Sequence, residues 1–331
     1  MAEEGLMTIT YACDENYIAI AAISAVSVLR FNPAAEIVLL GCNLDEAGIG
    51  IVKSRVEKAG GSFRYCDISD RIRDVASSGC AAYTSYAIYA RIFAPLVIEN
   101  AERILYLDCD TLVCDSLSGL YEMNMDGFPF ALCHDCIGQD YKKFINIDES
   151  APYFNTGVML MDVQKWKESR CTERILEELA VPRGPMVLPE QDIIARVFQG
   201  EVKALAPRWN FLSQFSLFSY DGIRRIVGKY ADNPMFYSRE EYDFARKHAS
   251  IYHFSGHTLG RPWYVGSKSP MRAQYVEAAS LAGLRETVAQ VRPMRPEYKL
   301  QYLLYKILPQ KVFDLAGYIM YRIFIRKTYG V

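Results

Sequence analysis

The chain has 331 residues, of which 51% are hydrophobic and 23% charged, a composition typical of a globular protein with a large core. Its net charge of -2 gives no reason to expect a nucleic-acid partner. Nine scattered cysteines, the lack of a signal-peptide pattern and the lack of a run of about 20 apolar residues together predict a cytoplasmic protein with free thiols.

The chain alternates short apolar segments with longer helical ones. Strands are predicted at residues 7–12, 36–42, 62–66, 103–107, 130–133 and 156–161. Helices are predicted at residues 18–31, 45–59, 83–93, 164–180 and 189–198. This alternation is typical of βαβ units, so the predicted fold is α/β, with a parallel sheet that is covered by helices on both faces.

The segment at residues 103–113, RILYLDCDTLV, is the first candidate for a functional site. Its apolar run predicts a buried strand, and Asp108 and Asp110 follow at the strand's carboxyl end, where open α/β sheets bind ligands. Residues i and i+2 of an extended chain point to the same side, so the two carboxylates can converge. Because like charges at short distance repel each other, the pair favours a divalent cation between them.

Two enzyme classes share this pattern. A strand followed by D-x-D-x-T resembles the first motif of haloacid-dehalogenase-like phosphatases, in which Asp108 would be the nucleophile. It equally resembles the metal-binding D-x-D of nucleotide-sugar glycosyltransferases. The phosphatase alternative also needs a downstream lysine motif and a second acidic cluster, and no such acidic cluster is visible. A catalytically silent sugar-binding protein is a third alternative.

Three other polar segments lie at ends of predicted elements. Residues 14–17, DENY, follow the first strand, where they could bind a nucleobase or cap the next helix. Residues 153–157, YFNTG, enter a strand with a glycine that permits close backbone approach to a ligand. Residues 190–192, EQD, begin a helix, where acidic side chains also compensate the helix dipole.

His253 is a further candidate metal ligand. It begins the sequence HFSGH, whose internal Gly256 argues against the helix of a zinc protease motif. His253 could therefore supply a nitrogen ligand to an ion held by Asp108 and Asp110. Arg261 follows in the same segment and adds a cation that is suited to a phosphate leaving group.

Taken in order, these motifs resemble glycosyltransferase family 8, the retaining enzymes that include bacterial lipopolysaccharide α-galactosyl- and glucosyltransferases. The motifs that carry the resemblance are CDENY, YAR, LDCDTLV, YFNTGVMLM, EQD and HFSG. The resemblance implies a single GT-A-type, Rossmann-like nucleotide-sugar-binding domain with a mixed, mainly parallel sheet. This catalytic domain is expected over residues 1–270, and a C-terminal helical appendage is expected over residues 271–331.

The resemblance also implies a role for each matched residue. The implied metal ligands are Asp108, Asp110 and His253, with Mn²⁺ or Mg²⁺ as the ion. The implied donor-binding residues are Ala12, Asp14, Asn16, Tyr17, Arg91, Asp108, Cys109, Asn155, Thr156, Gly157, Glu190, Gln191, Gly256 and Arg261. Gln191 and Asp192 are expected to be catalytic, and Asp135 is expected to lie on the acceptor side.

The implied reaction is the metal-dependent transfer of a hexose from UDP-galactose or UDP-glucose to an acceptor hydroxyl, with retention of configuration. The expected acceptor is a glycan or lipid-linked saccharide of the cell envelope, as in lipopolysaccharide biosynthesis. Because glutamine is a poor nucleophile, Gln191 favours front-face attack over double displacement. Residues 77–79, SSG, are predicted to form a lid over the donor.

Three residues depart from the family pattern. Glu190 stands where aspartate is usual, so the hydroxyls of the donor sugar are expected to be held differently. Arg261 replaces a lysine, with two extra residues between it and His253, which changes the expected contact with the diphosphate. Cys109, between the two metal-binding aspartates, replaces a residue that is often alanine.

The C-terminal residues 297–331 combine aromatic and apolar side chains with six basic and two acidic residues, a local net charge of +4. This composition predicts an amphipathic helix in an anionic membrane surface, peripheral on the inner face of the plasma membrane. The alternative is a tail that folds back on the catalytic domain or forms a dimer contact.

Overall fold

The computed structural model describes residues 6–77, 86–181, 188–228, 236–290 and 294–329. The strands of this part of the chain are β1 (Thr8–Cys13), β2 (Glu36–Gly41), β3 (Ser62–Asp67), β4 (Arg103–Leu107), β5 (Thr111–Val113), β6 (Phe130–His134), β7 (Phe154–Asp162), β8 (Val202–Leu205), β9 (Phe211–Leu212) and β10 (Ile251–His253). They form a seven-stranded sheet of order β3-β2-β1-β4-β7-β6-β8 and a three-stranded sheet of order β5-β10-β9.

The helices pack on both faces of the large sheet. The α-helices are α1 (Ile18–Phe31), α2 (Glu46–Lys58), α3 (Ser69–Ser77), α4 (Ala94–Val97), α5 (Ser118–Tyr121), α6 (Gln139–Phe144), α7 (Val163–Glu168), α8 (Cys171–Leu179), α9 (Pro189–Val197), α10 (Ser213–Leu217), α11 (Tyr220–Val227), α12 (Arg239–Lys247), α13 (Arg272–Leu281), α14 (Pro296–Ile307) and α15 (Gln310–Tyr329). Short 3₁₀ helices cover Glu15–Tyr17, Tyr86–Phe93, Pro207–Trp209 and Arg285–Ala289. Successive residues of β4 alternate between two buried apolar clusters, Leu105 on one face and Tyr106 on the other. A strand that is buried on both faces has a continuous run of apolar residues, which is why β4 could be predicted from the sequence.

The large sheet is mixed and mainly parallel, as predicted. Strands β3, β2, β1 and β4 run parallel, and so do β6 and β8. Strand β7 is antiparallel to both β4 and β6. Strand order reverses beside β1, because β2 and β3 continue to one side and β4 lies on the other. Ligands of open α/β sheets bind at such a switch point, beyond the carboxyl ends of the strands.

Two predicted helices differ in the structure. The predicted helix at 164–180 is divided into α7 and α8, because Arg170 adopts a left-handed conformation with φ of 51°. The described part of the predicted helix at 83–93 is a 3₁₀ helix followed by α4. Pro95 lacks the N–H group that would continue α-helical bonding to the carbonyl of Arg91.

Strands β5, β8, β9 and β10 were not predicted from the sequence, since runs of two to four residues carry little periodicity.

The C-terminal helices lie against the rest of the protein. Helix α13 packs on α1, and its Tyr275 is buried in the same apolar cluster as Ile23. Helix α15 packs on α11 and α6. Among the described helices, none is long and apolar enough to cross a membrane. The division of the chain at residue 270 stays a prediction, and of the predicted lid at residues 77–79 only Ser77, which ends α3, is described.

Candidate functional site

The three-stranded sheet brings the predicted metal ligands together. Asp108 and Asp110 lie between β4 and β5, and antiparallel pairing of β5 with β10 places His253 opposite Thr111. The Nε2 atom of His253 is 3.2 Å from Oδ1 of Asp110 and 3.8 Å from Oδ2 of Asp108. One ligand atom from each of the three residues lies within 4.8 Å of the others. Two carboxylate oxygens and one imidazole nitrogen at these separations fit a single divalent cation.

Gly157 provides the space in which these ligands meet. A Cβ atom at this position would collide with the ring of His253 and would lie 2.7 Å from Oδ2 of Asp108. The Gly157 carbonyl also accepts a hydrogen bond of 2.7 Å from the backbone N–H of Asp108. The sequence pattern assigned Gly157 to close approach of the donor. The structure indicates in addition that the small size of Gly157 lets the candidate metal ligands pack closely.

Asn210 orients His253, and the sequence analysis missed it. Its Oδ1 atom lies 3.0 Å from Nδ1 of His253, which leaves Nε2 directed at the aspartates. Its amide group donates a 2.7 Å hydrogen bond to Oδ1 of Asn155, which also accepts one from the Gly157 N–H. A hydrogen bond to the second ring nitrogen fixes the tautomer of a metal-binding histidine. The only sequence signal is an isolated asparagine just before a short apolar segment.

Two cations balance the charge of Asp110. Its carboxylate accepts hydrogen bonds from Arg261 and lies beside His253. Burial raises the pKa of Asp110, but Arg261 and His253 together reverse this effect and leave it below its usual range. Burial lowers the pKa of His253, and the neighbouring aspartates outweigh it, so the pKa of His253 is raised. Asp108 and Asp110 therefore favour positive charge at this position.

Arg91 is the buried counter-ion of Asp108. Its guanidinium donates to the carbonyl oxygen of Thr156 at 2.6 Å and to Oδ1 of Asp108 at 3.0 Å. It also lies 3.8 Å from Glu190 and 4.5 Å from the ring centre of Tyr106. Burial lowers the pKa of Arg91, but the nearby carboxylates of Asp108 and Glu190 outweigh this effect, so the pKa of Arg91 is raised. Arg91 thus joins the D-x-D segment to the start of α9.

Gln191 belongs to a buried amide and carboxylate cluster. Oδ2 of Asp135 accepts hydrogen bonds from the amide of Gln191 at 2.9 Å and from that of Asn155 at 3.0 Å. The neighbouring Glu190 accepts from the hydroxyl of Thr156 at 3.4 Å, and burial raises its pKa. The structure therefore brings the predicted Gln191, Asn155 and Asp135 together.

Asp192 lies outside that cluster. Its carboxylate is fully buried and accepts hydrogen bonds from the hydroxyl groups of Tyr141 at 2.7 Å and Tyr153 at 2.6 Å. It also accepts from the backbone N–H of Leu188 at 3.3 Å. Burial raises the pKa of Asp192, against the lowering effect of the two tyrosine hydrogen bonds. Asp192 thus fixes the start of α9 and, with it, the position of the neighbouring Gln191. The carboxylate of Asp192 itself does not face Asp135.

The segment after β1 lies near the candidate metal ligands. Asp14 caps the first 3₁₀ helix by accepting from the N–H of Asn16, which is the capping alternative raised from the sequence. Burial raises the pKa of Tyr17, while the nearby Arg261 lowers it. The thiol of Cys109 donates to the carbonyl of Ala12 at 3.2 Å and so ties β1 to the D-x-D segment.

Gly256 has a φ of 77°, a left-handed conformation that glycine adopts at little cost. It permits the turn that leads from His253 to Arg261. Donor binding by Gly256 and by the segment after β1 stays a prediction.

Comparisons with known proteins identify relatives. A model of the family Glycosyl transferase family 8 matches residues 8–264. Glycosyltransferase GlyF of Streptococcus pneumoniae is 25% identical over 80% of this chain and 59% of its own length. Lipopolysaccharide 1,2-glucosyltransferase of Escherichia coli is 28% identical over 40% of each chain. General stress protein A of Bacillus subtilis is 27% identical over 59% of this chain and 65% of its own length.

The fold is shared with solved structures. The galactosyltransferase LgtC, in complex with donor and acceptor sugar analogs, superposes with a TM-score of 0.66 over 88% of this chain and 99% of its own, at 23% identity. That likeness confirms the GT-A fold. The chain spans less than two thirds of the length of the curated relatives above. The family match, which includes the D-x-D segment, overturns the phosphatase alternative.

Proposed function

The chain belongs to glycosyltransferase family 8, and on that premise we propose that it transfers a hexose from a UDP-sugar to a hydroxyl group of a saccharide acceptor, with retention of configuration. The observation that carries the proposal is the convergence of Asp108, Asp110 and His253 beyond the carboxyl ends of β1 and β4. UDP-galactose and UDP-glucose are the proposed donors. An envelope glycan or lipid-linked saccharide, as in lipopolysaccharide synthesis, is the proposed acceptor.

A donor screen tests this proposal. Purified protein with Mn²⁺ is incubated with a panel of UDP-sugars, and the release of UDP is measured without acceptor. We expect slow hydrolysis of UDP-galactose or UDP-glucose, because such a site activates the donor toward water when no acceptor is present. If no UDP-sugar is hydrolysed but one binds, the protein is the catalytically silent alternative and the proposal is wrong.

In the proposed donor complex, Asp14, Asn16 and Tyr17 hold the uracil base. The closeness of Tyr17 to Arg261 supports this placement, because it puts the base end and the phosphate end of one nucleotide at a single cleft. Thr156 and Glu190 lie beside Arg91 and are proposed to contact the hexose. Glutamate reaches about one methylene further than aspartate, so Glu190 is proposed to affect which hexose is accepted.

Departure of UDP requires positive charge near the diphosphate. A divalent cation bound by Asp108, Asp110 and His253, proposed to be Mn²⁺ or Mg²⁺, would supply charge stabilisation for that leaving group. Arg261 is already directed at Asp110 and is proposed to donate to the departing phosphate as well. Arg91 holds Asp108 in place during the reaction.

We propose front-face attack, in which the acceptor hydroxyl approaches on the side that UDP leaves. The amide of Gln191 donates a hydrogen bond to Asp135, and this contact positions the two side chains. Gln191 is proposed to lie beneath the sugar and Asp135 toward the acceptor. Asp192 is fully buried and bound by two tyrosine hydroxyl groups, which supports a positioning role over a nucleophilic one.

Replacing Gln191 with alanine tests this assignment. We expect kcat to fall about 10- to 100-fold without being abolished, since a positioning contact is lost while the leaving-group charges remain. Gln164→Ala, which changes an exposed glutamine on α7, is the matched control and should retain full activity. A covalent sugar adduct on Glu190 or Asp192, detected by mass spectrometry of the wild type, would overturn the front-face proposal.

The C-terminal helices support a proposed contact with the cytoplasmic face of an anionic membrane. One face of α15 packs inward through Phe313 and Asp314, and the Tyr321 hydroxyl accepts from the N–H of Gly138 at 2.8 Å. Helix α15 therefore packs back on α6 and α11, as in the alternative raised from the sequence. The outward face of α14 and α15 nevertheless exposes a stripe of apolar side chains, namely Leu300, Leu303, Ile307, Val312, Leu315, Ile319, Ile323 and Phe324.

Co-sedimentation with vesicles tests the membrane contact. We expect salt-sensitive binding to anionic vesicles and none to neutral ones, because each basic residue near such a surface contributes about 1 kcal/mol. Leu315→Asp with Ile319→Asp should remove binding while UDP-sugar hydrolysis is retained. Leu281→Asp, on the exposed side of α13, is the matched control. Unchanged binding of the double variant would contradict the proposal.

A further inference from the structure

A cavity lies away from the candidate metal ligands, between the three-stranded sheet and helix α14. Its volume is about 760 Å³, and it is lined by the end of α12, the loop before α13 and the last turns of α14. Tyr252 forms part of its wall, and its hydroxyl is 2.5 Å from that of Ser216. Tyr302 and Tyr305 face it from α14, with ring centres 6.4 Å apart.

This cavity and the proposed donor site lie on opposite faces of strand β10. Tyr252 and His253 are consecutive residues of that strand, and successive strand side chains point to opposite sides. His253 is directed at Asp108 and Asp110, whereas Tyr252 lines the cavity. The cavity is therefore a separate site, and an anion bound there would not compete with UDP for the same groups.

Four basic side chains from three elements line the cavity. They are Arg246 and Lys247 of α12, Lys268 of the loop before α13, and Lys306 of α14. Within residues 6–77, 86–181, 188–228, 236–290 and 294–329, none of the four forms an ion pair with a carboxylate. Asp115 is the one acidic side chain among the described residues of the lining, and it is already paired with Arg208 at 2.9 Å.

Compensation of helix dipoles does not account for this charge. Helices α12 and α14 both end at the cavity, and the two carboxyl ends together offset about one unit charge. Lys268 belongs to no helix. A net charge of about +3 remains around one concave surface, and such a concentration of positive charge attracts anions.

We propose that this cavity binds a phosphate-bearing ligand. Lysine and arginine side chains are the usual phosphate ligands of proteins, and the tyrosine rings suit an attached sugar or glycerol unit. The phosphoryl group would come either from a lipid headgroup or from a soluble phosphorylated glycan. Because α14 forms one wall, bound phosphate would also fix the C-terminal helices against the catalytic domain. This proposal does not depend on the proposed transfer reaction.

Titration calorimetry with inorganic pyrophosphate in the presence of EDTA tests the proposal on the full chain. We expect the double variant Lys268→Gln with Lys306→Gln to bind roughly tenfold more weakly than wild type, since two of four cations are lost. Lys58→Gln with Lys167→Gln, which changes exposed lysines elsewhere, should bind as wild type does.

Two results would overturn the proposal: no binding by wild type, or equal binding by the cavity variant. A second experiment, which measures binding to vesicles, then distinguishes the two sources of phosphate. Loss of binding to phosphatidylglycerol vesicles in the cavity variant would assign the site to a lipid headgroup. Weakened pyrophosphate binding with unchanged vesicle binding would assign it to a soluble phosphorylated ligand. Equal thermal unfolding of all variants would show that the fold is unchanged.

Discussion

Replacing Asp110 with alanine is expected to lower kcat/KM for sugar transfer by about 10³-fold or more. The variant keeps one carboxylate and one imidazole, and Arg261 loses the carboxylate that holds it at the proposed diphosphate site. A chelator should have the same effect on the wild type, and Mn²⁺ should restore activity. The direct readout is calorimetric titration of Mn²⁺, which should bind wild type with UDP and not bind the variant.

Asp70→Ala is the matched control for this experiment. Asp70 is an exposed carboxylate at the start of α3 that pairs with Arg73 on the surface, so its loss should leave activity unchanged within about twofold. Full transfer activity of the wild type in excess chelator would show that the reaction needs no metal, and the proposed roles of Asp108, Asp110 and His253 would fail together.

Arg91→Met is expected to lower the free energy of unfolding by about 3 kcal/mol and to abolish activity. Methionine preserves much of the side-chain volume but removes the positive charge that compensates Asp108 and Glu190, both of which are largely shielded from solvent. The carbonyl of Thr156 also loses its hydrogen-bond donor. Urea denaturation measures the stability, and UDP release from the donor measures the activity.

The pH dependence of this variant provides an independent test. Burial already raises the pKa of Glu190 while Arg91 opposes that effect, so removal of Arg91 should raise it further. When the pKa of a carboxyl group is higher in the folded state than in the unfolded state, the protein loses stability as pH rises through the range between the two pKa values. The stability deficit of Arg91→Met should therefore be smaller near pH 5 than near pH 7.5.

Arg91→Lys keeps the charge but not the planar set of donors, so it should recover part of the stability and little of the activity. Equal unfolding free energies for wild type and Arg91→Met at both pH values would contradict the assigned role. The same result would show that Asp108 is held by other contacts, such as the 3.0 Å hydrogen bond from the Tyr106 hydroxyl.

Local patterns determined much of this protein. The apolar runs at β2 and β4 identify a doubly covered sheet, because a strand buried on both faces has no polar alternation. The prediction of α1 at residues 18–31 is confirmed, and α2 begins after Asp45, whose carboxylate caps it by accepting from Gly48 N–H. Asp108 and Asp110 were recognised because both their spacing and the preceding strand are local features of the sequence.

Only the tertiary structure decided how distant residues meet. His253 reaches Asp110 because β10 pairs with β5, two three-residue strands too short to be predicted from periodicity. Asn210 joins His253 through contacts between residues that are far apart in the chain. The sequence placed Gln191 and Asp192 side by side, and packing directed one toward Asp135 and the other toward Tyr153.

The C-terminal helices show the same difference between what the sequence and what the tertiary structure determine. Its composition predicted amphipathic helices, but both faces of α15 carry apolar residues, and composition does not say which face is covered. The fold covers the face with Phe313 and leaves Ile319 exposed. Local propensity and periodicity are properties of neighbouring residues and can be read from sequence, whereas pairing of short strands and choice of a buried face depend on the free energy of the whole packed chain.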